Sequence, residues 1–85
     1  MTYTVLWKSD AEDQLARLWM DAENRNAVRR AADKIDQLLG DDPLKQGESR
    51  SAGVRVMFVD PLAVFYQVQE QDRTVWVARV WSTGD

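Results

Sequence analysis

The stretch that decides the fold is residues 51–68, SAGVRVMFVDPLAVFYQV, in which two apolar runs meet at Asp60-Pro61. Aspartate followed by proline favours a turn, and the β-branched and aromatic residues on either side favour strands. The first run contains one cation, Arg55. Because an unpaired arginine is costly to bury, we expect the sheet face that carries Arg55 to be open.

Two helices are predicted upstream of this hairpin. Ser9 followed by Glu12 is the capping-box signature of a helix start, and apolar residues then recur at helical spacing to about residue 22. A second apolar stripe begins after an N-cap at Asn24 or Asn26 and stops at Gly40. The two stripes predict a pair of amphipathic helices that share one core.

The remaining elements are strands. Residues 3–8 are β-branched and aromatic, and after a polar connection at 43–52 the apolar period changes to two. This period predicts strands at about 53–59, 63–69 and 74–81. The fold class is therefore α+β, in the order β-α-α-β-β-β, as a single domain over residues 1–85. A two-helix hairpin should cover one face of a small, mostly antiparallel sheet.

The predicted register divides the strand residues between two faces. It places Pro61 at the second position of a type I turn and gives residues 70–73 a four-residue loop. The face predicted to be open carries Arg55, Met57, Tyr66, Arg79 and Trp81. The face predicted to meet the helices carries Val54, Val56, Phe58, Phe65, Trp76, Ala78 and Val80.

An open face with cations and aromatic rings has the chemistry of a binding surface. Arginine binds phosphate or carboxylate, and aromatic rings stack on bases or pack against apolar partners. The alternative is that both arginines pair with surface acids and that the rings only cover the sheet. On residue types alone, both interpretations stand.

Composition excludes several kinds of chemistry. The 85 residues include no cysteine and no histidine, which removes disulfides, thiolate zinc sites, a cysteine nucleophile and the usual general base. We expect no cofactor and no metal. The net charge of −3 argues against a general nucleic-acid binder, although residues 43–59 carry three cations and one acid. Because no apolar run approaches the ~20 residues of a membrane span, we expect a cytoplasmic protein without membrane contact.

Several segments together resemble a known family. They are YTVLWKSDAEDQLARLW, IDQLLGDDPLKQGES, GVRVMFV, LAVFYQV and VWVARVW. The chain resembles the RelE/ParE superfamily of type II toxin–antitoxin toxins over nearly its whole length. The resemblance implies a cytoplasmic toxin that a cognate antitoxin protein neutralises. RelE-like members cut messenger RNA on the ribosome, whereas ParE-like members inhibit DNA gyrase without being nucleases, and both targets remain open here.

Site residues follow from the same resemblance. Arg55 matches the arginine of the first strand after the helices, and Tyr66 matches the aromatic residue of the next strand. RNA cleavage needs a base, an acid and a cation for the phosphorane charge. The catalytic candidates are Arg55, Arg79 and Tyr66. The candidates for partner binding are Lys45, Arg50, Met57 and Trp81.

The chain also departs from the family pattern. Ala63 stands where the family often has a second arginine, and Ser82-Thr83-Gly84-Asp85 replaces a basic or histidine-containing segment. With Lys45 or Glu48 as the remaining candidates for a base, we expect nuclease activity to be absent or wholly dependent on the ribosome. The alternative function is a non-catalytic binding module on the same fold, either gyrase-directed or non-toxic. Such a module predicts an apolar groove that fits an antitoxin helix.

Overall fold

The computed structural model describes residues 2–83, which fold as two helices against a five-stranded sheet. The elements are β1 (Thr4–Trp7), α1 (Ser9–Asp21), α2 (Arg25–Asp41), β2 (Glu48–Ser49), β3 (Val54–Val59), β4 (Leu62–Gln69) and β5 (Thr74–Ser82), with a short 3-10 turn at Ser51–Gly53. The predicted α+β class and element order are confirmed. The two-residue strand β2 lies in the polar connection predicted at residues 43–52, and the 3-10 turn begins there and ends at Gly53.

The sheet has the strand order β1-β5-β4-β3-β2. β1 runs parallel to β5, and the other neighbouring pairs are antiparallel. A parallel pair needs a long connection between its two strands. The chain between β1 and β5, which includes both helices, provides this connection. The N-terminal strand therefore forms one edge and β2 forms the other.

The helix boundaries agree with the apolar stripes more closely than with the expected caps. Asn24 does cap α2, because its side chain accepts a hydrogen bond from the Ala27 amide at 3.1 Å. The capping box predicted at Ser9 is wrong. Ser9 is already the first residue of α1, and Lys8 occupies the cap position without a side-chain bond. Gly40 lies inside the last turn of α2, which ends at Asp41.

The β3–β4 register differs from the predicted one because the two-residue turn lies one residue earlier in the chain, at Asp60 and Pro61 rather than at Pro61 and Leu62. Asp60 and Pro61 alone connect the strands, so Val59 opposes Leu62 and Arg55 opposes Tyr66. A β-bulge between Phe65 and Tyr66 then alters the β4–β5 register. Tyr66 opposes Val77, as the predicted four-residue loop at residues 70–73 requires, but Phe65 opposes Arg79. The bulge therefore puts Arg79 on the face opposite Arg55.

The predicted choice of faces is wrong, because the helices pack on the Arg55 face. Met57 and Tyr66 are 4% and 0% exposed, whereas Phe58 on the other face is 60% exposed. The buried core consists of Ala11, Val28, Ala31, Ile35, Leu39, Met57, Leu62, Val64, Tyr66, Val75, Val77 and Val80. The prediction failed because it weighed the cost of an unpartnered arginine, and Arg55 has partners in the segment that folds over it.

Candidate functional site

Arg55 and Tyr66 form a closed corner at the end of the core face, together with residues 43–47; we call this the Arg55 corner. One terminal nitrogen of Arg55 donates to the Leu44 and Gln46 carbonyls, both at 3.0 Å. The Arg55 Nε lies 3.3 Å from both the Gln46 carbonyl and the Tyr66 hydroxyl. Among residues 2–83 no carboxylate pairs with Arg55. Backbone carbonyl dipoles therefore satisfy this cation.

The Tyr66 hydroxyl also bonds to the segment of residues 43–47. It lies 2.8 Å from the Pro43 carbonyl and 2.7 Å from the Gln46 carbonyl, and its one proton can be donated to either. Burial raises the pKa of the Tyr66 phenol, while the hydrogen bond and charge of Arg55 oppose that rise. A fully buried phenol with a raised pKa is poorly placed to act on an external substrate.

Gly47 allows the segment to fold this closely. Its φ is +64°, a left-handed conformation that glycine adopts without penalty. A Cβ at this position would overlap the Val56 carbonyl and lie 3.1 Å from the Tyr66 hydroxyl. The Arg55 corner therefore requires glycine at residue 47 for both its conformation and its size.

Arg79 and Trp81 lie on the open face with Phe65; we call these three residues the Arg79 patch. The Phe65 and Trp81 ring centroids are 4.8 Å apart with the rings tilted by 53°. Arg79 is exposed, and within the described chain it forms no ion pair. The three residues line a shallow cavity of about 260 Å³ together with Gln14 and Val80. An exposed cation beside two aromatic rings is a common composition for a protein-binding hot spot.

The rest of the open face is largely apolar. Phe58 is 60% exposed and Leu6 39% exposed, and Trp76 is half-buried beside Leu6 in the sheet. Phe58 and Trp76 were both expected in the core, so these two expectations are wrong. The uncovered apolar side chains extend the surface around the Arg79 patch.

The other predicted partner-binding residues are scattered. Met57 is 4% exposed beneath the helices, so the expectation that it faces a partner is wrong. The Lys45 side chain is 83% exposed and lies 3.8 Å from Asp42. Arg50 lies 4.0 Å from Glu48 near the β2 edge. Among the predicted site residues, the structure thus brings together Arg55 with Tyr66, and Arg79 with Trp81.

A third surface, the helix groove, lies between α1 and α2 and has a volume of about 450 Å³. Its lining residues are Trp7, Glu12, Leu15, Ala16, Trp19, Val28, Arg29, Ala32, Asp33 and Asp36. The Trp7 Nε1 donates to Asp36 at 2.7 Å, and the Arg25 guanidinium lies 4.6 Å from the Trp19 ring centroid. Trp19 lies on the helical stripe of α1 but is 42% exposed in this groove.

Some of these features left little trace in the sequence. The carbonyls of Pro43, Leu44 and Gln46 carry no residue-specific signal, because every residue type has a backbone carbonyl. An isolated glycine four residues after a proline was the available hint for Gly47. The Gln14 side chain accepts a hydrogen bond from the Val80 amide at 3.0 Å, next to the bulge. Nothing in the helical pattern of α1 indicated this contact.

The described part of the chain contains neither a cluster of metal ligands nor a helix that could span a membrane. No group of three or more acidic side chains among residues 2–83 is arranged to hold a metal ion. Neither of the helices described is long and apolar enough to cross a bilayer.

A helical hairpin on one face of a mostly antiparallel sheet is a fold that this chain shares with solved RelE/ParE-type toxins. The family model described as ParE toxin of type II toxin–antitoxin system, parDE, matches residues 5–85. The chain belongs to this family. No curated protein matches it at a significant level.

Solved structures share the fold at low sequence identity. The toxin–antitoxin complex RelBE2 from Mycobacterium tuberculosis has a TM-score of 0.81 at 20% identity, over 100% of this chain and 95% of that one. A mutant of E. coli toxin RelE in the free state has a TM-score of 0.74 at 15% identity, over 99% and 86%. The chromosomal ParDE system from P. aeruginosa has a TM-score of 0.67 at 14% identity, over 95% and 96%.

Proposed function

We propose that this chain is a ParE-like toxin that inhibits its target by binding it, without cutting RNA. The observation that carries the proposal is the closed Arg55 corner. The Tyr66 hydroxyl is buried and bonded to the Pro43 or Gln46 carbonyl, and the Arg55 guanidinium is committed to the Leu44 and Gln46 carbonyls. A nuclease would need these groups free to reach a phosphate and its 2′-hydroxyl. With no histidine in the chain, no alternative general base of the usual kind exists.

The proposed target is DNA gyrase, which ParE-like members of the superfamily inhibit, and the proposed contact surface is the Arg79 patch. Arginine and tryptophan are enriched among the residues that dominate protein–protein binding energy. Arg79 is exposed and Trp81 half-buried, so an approaching protein can reach both. The apolar side chains around them would exclude water from such a contact.

The proposed partner is a cognate antitoxin polypeptide in the cytoplasm. The solved relatives from M. tuberculosis and P. aeruginosa are toxin–antitoxin systems. The antitoxin would keep the chain inactive until it is removed.

The test is a DNA supercoiling assay with purified gyrase, run beside a translation extract that reports cleavage of messenger RNA. We expect the chain to inhibit supercoiling and to leave the messenger intact. Arg79→Glu and Trp81→Ala should each raise the half-inhibitory concentration at least about 10-fold. Arg17→Glu is the matched control, because Arg17 is exposed on α1 and lies outside the open face.

The outcomes separate the two family activities. Messenger cleavage in the translation extract with unaffected supercoiling would overturn the proposal in favour of a ribosome-dependent nuclease. Arg55→Ala is unsuitable as the decisive variant, because its loss of stability would lower any activity.

A further inference from the structure

We propose that the open sheet face binds the same face of a second copy of this chain. The twofold axis of this dimer runs along the strands between β3 and β4, in the plane where the two faces meet. The dimer covers the Arg79 patch, so a second copy and gyrase compete for one surface. Self-association goes beyond the proposed function, and only this competition rests on it.

One row of side chains across the open face carries opposite charges at its two ends. From β5 to β2 the row consists of Arg79, Phe65, Val56 and Glu48, each directly opposite the next. Directly opposed residues share a face of the sheet. With ~4.8 Å between neighbouring strands, the two charged residues lie roughly 14 Å apart. The row therefore has a cation at one end, an apolar centre and an anion at the other end.

This order makes the row complementary to itself. A twofold axis between β3 and β4 reverses the row, so Arg79 of one copy faces Glu48 of the other. Phe65 then packs against Val56 of the other copy, between the two ion pairs. In such an isologous interface every contact forms twice. Opposite charges on either side of an apolar contact attract the two copies and also fix how they align.

A second row adds a fit of size to the fit of charge. Phe58 in β3 opposes Ala63 in β4. Phe58 is 60% exposed, whereas Ala63 is a small side chain with no exposed surface. The same axis places each Phe58 ring over Ala63 of the other copy, where a methyl group leaves room for the ring. The dimer thus covers an aromatic side chain that is open to water in the monomer.

Both charged residues of the first row are accessible to a second copy. Arg79 is exposed and forms no ion pair with any residue from 2 to 83. The Glu48 side chain is 75% exposed, and its contact with Arg50 is 4.0 Å long. Because an exposed ion pair of this kind contributes little energy, the Glu48 carboxylate remains available to a second cation.

The size of the open face limits the strength of the dimer. At ~4.8 Å per strand and ~3.3 Å per residue, the four longer strands cover a flat area of roughly 400 Å². A standard stable interface buries ~800 Å² of accessible surface on each partner. We therefore expect monomer and dimer to exchange, with a dissociation constant on the order of 10 μM. Well below that concentration the chain is monomeric, and its Arg79 patch is free.

Sedimentation equilibrium of the full chain tests this dimer through charge reversal. The wild-type chain should be monomeric at ~1 μM and mostly dimeric at ~300 μM. Arg79→Glu and Glu48→Arg each place like charges at both contacts, and each should weaken dimerisation at least about 10-fold. The double variant restores opposite charges and should dimerise as the wild-type chain does. An equimolar mixture of the two single variants should form the heterodimer for the same reason.

Control variants separate these contacts from general effects of charge. Arg17→Glu and Glu23→Arg make the same charge changes at exposed residues of the helical layer, and both should dimerise as the wild-type chain does. Phe58→Ala changes no charge and removes an exposed ring, so it should weaken dimerisation at least about 10-fold without disturbing the core. A wild-type chain that stays monomeric at ~300 μM, or a double variant that does not regain dimerisation, overturns the inference.

The supercoiling assay distinguishes failure of this inference from failure of the proposed function. If the chain dimerises through these contacts but does not inhibit gyrase, the proposed target fails and the dimer stands. If the chain inhibits gyrase but remains monomeric at ~300 μM, the dimer fails and the open face serves a different protein alone.

Discussion

The Arg55 corner and the Arg79 patch are built from similar residues with opposite exposure. Arg55 opposes Tyr66 across the β3–β4 pair, and Arg79 opposes Phe65 across the β4–β5 pair. Tyr66 and Phe65 are consecutive in β4, so their side chains lie on opposite faces. One arginine is bonded to backbone carbonyls and the other is exposed to solvent.

The difference between these two regions follows from what covers each face. Residues 43–47 fold over Arg55 and supply carbonyl acceptors, and the Tyr66 hydroxyl bonds to carbonyls of the same segment, as phenylalanine could not. No described element covers the Arg79 patch. An arginine beside an aromatic ring thus supports the fold in one place and remains available for binding in the other. A catalytic role that is assigned to a residue by its position in a family pattern therefore also requires that the side chain be exposed.

The largest loss of stability should come from Gly47→Ala, which disrupts the Arg55 corner and leaves the Arg79 patch unchanged. The new methyl group would strain a left-handed residue and push against the Val56 carbonyl, which is backbone and cannot turn away. We expect the free energy of unfolding to fall by about 3 kcal/mol or more. Urea unfolding followed by tryptophan fluorescence measures this loss.

Gly53→Ala is the matched control for Gly47→Ala. Gly53 also has a left-handed φ, of 74°, but a Cβ there would have no neighbour within 4 Å. We expect a loss of about 1 kcal/mol from backbone strain alone. Equal losses in the two variants would show that residues 43–47 do not pack closely on β3, and the corner would then be open.

A smaller effect should separate the two arginines. Arg55→Ala removes the side-chain donor of the Leu44 carbonyl and leaves the Gln46 carbonyl with the Tyr66 hydroxyl alone, and we expect it to cost about 2 kcal/mol. Arg79→Ala removes an exposed side chain without an ion pair in the described chain, and it should change stability by less than about 0.5 kcal/mol. Urea midpoints of the two variants give the comparison directly. A larger loss for Arg79→Ala would reverse the roles assigned to the two regions.

Most of the fold could be predicted from local patterns. The apolar stripes of α1 and α2 and the period-two runs of β3, β4 and β5 predict the element order, because each element has one face to bury. The face choice could not be read the same way, since both faces of the β3–β4 hairpin are apolar. It depends on residues 43–47, whose backbone carbonyls give Arg55 its partners, and the bulge at Phe65/Tyr66 decides in addition that Arg79 lies on the opposite face.

The candidate site was less predictable than the fold. The pairing of Arg55 with Tyr66 in one place followed from the strand pattern, although through the wrong register. Its closure could not be foreseen, because backbone carbonyls from the connection between α2 and β3 provide the acceptors. The helix groove left no signal that could place it, because residues of both α1 and α2 line it and no motif within one helix marks it.

Among the variants that break the Arg55 corner, Tyr66→Phe should have the smallest effect on stability. This change keeps the buried ring and removes the hydroxyl that bonds to the Pro43 and Gln46 carbonyls, and we expect a loss of about 1 kcal/mol at neutral pH. It should also change the dependence of stability on pH. Burial raises the pKa of the Tyr66 phenol above its ordinary value of 10.0, although Arg55 limits the rise.

The direction of the pH effect follows from proton binding. Above pH 10 the unfolded chain releases the Tyr66 proton while the folded chain retains it, so the folded state binds more protons. The stability that the phenol contributes is therefore fully present below pH 10.0 and is lost as the pH rises through the folded pKa. Urea unfolding at several pH values on both sides of that point should show the wild-type chain losing its advantage over Tyr66→Phe. Other groups that titrate there are common to both chains and cancel in the difference. A constant difference would mean that the phenol has an ordinary pKa in the folded chain. The corner would then be open to solvent, and the main objection to a catalytic Tyr66 would be removed.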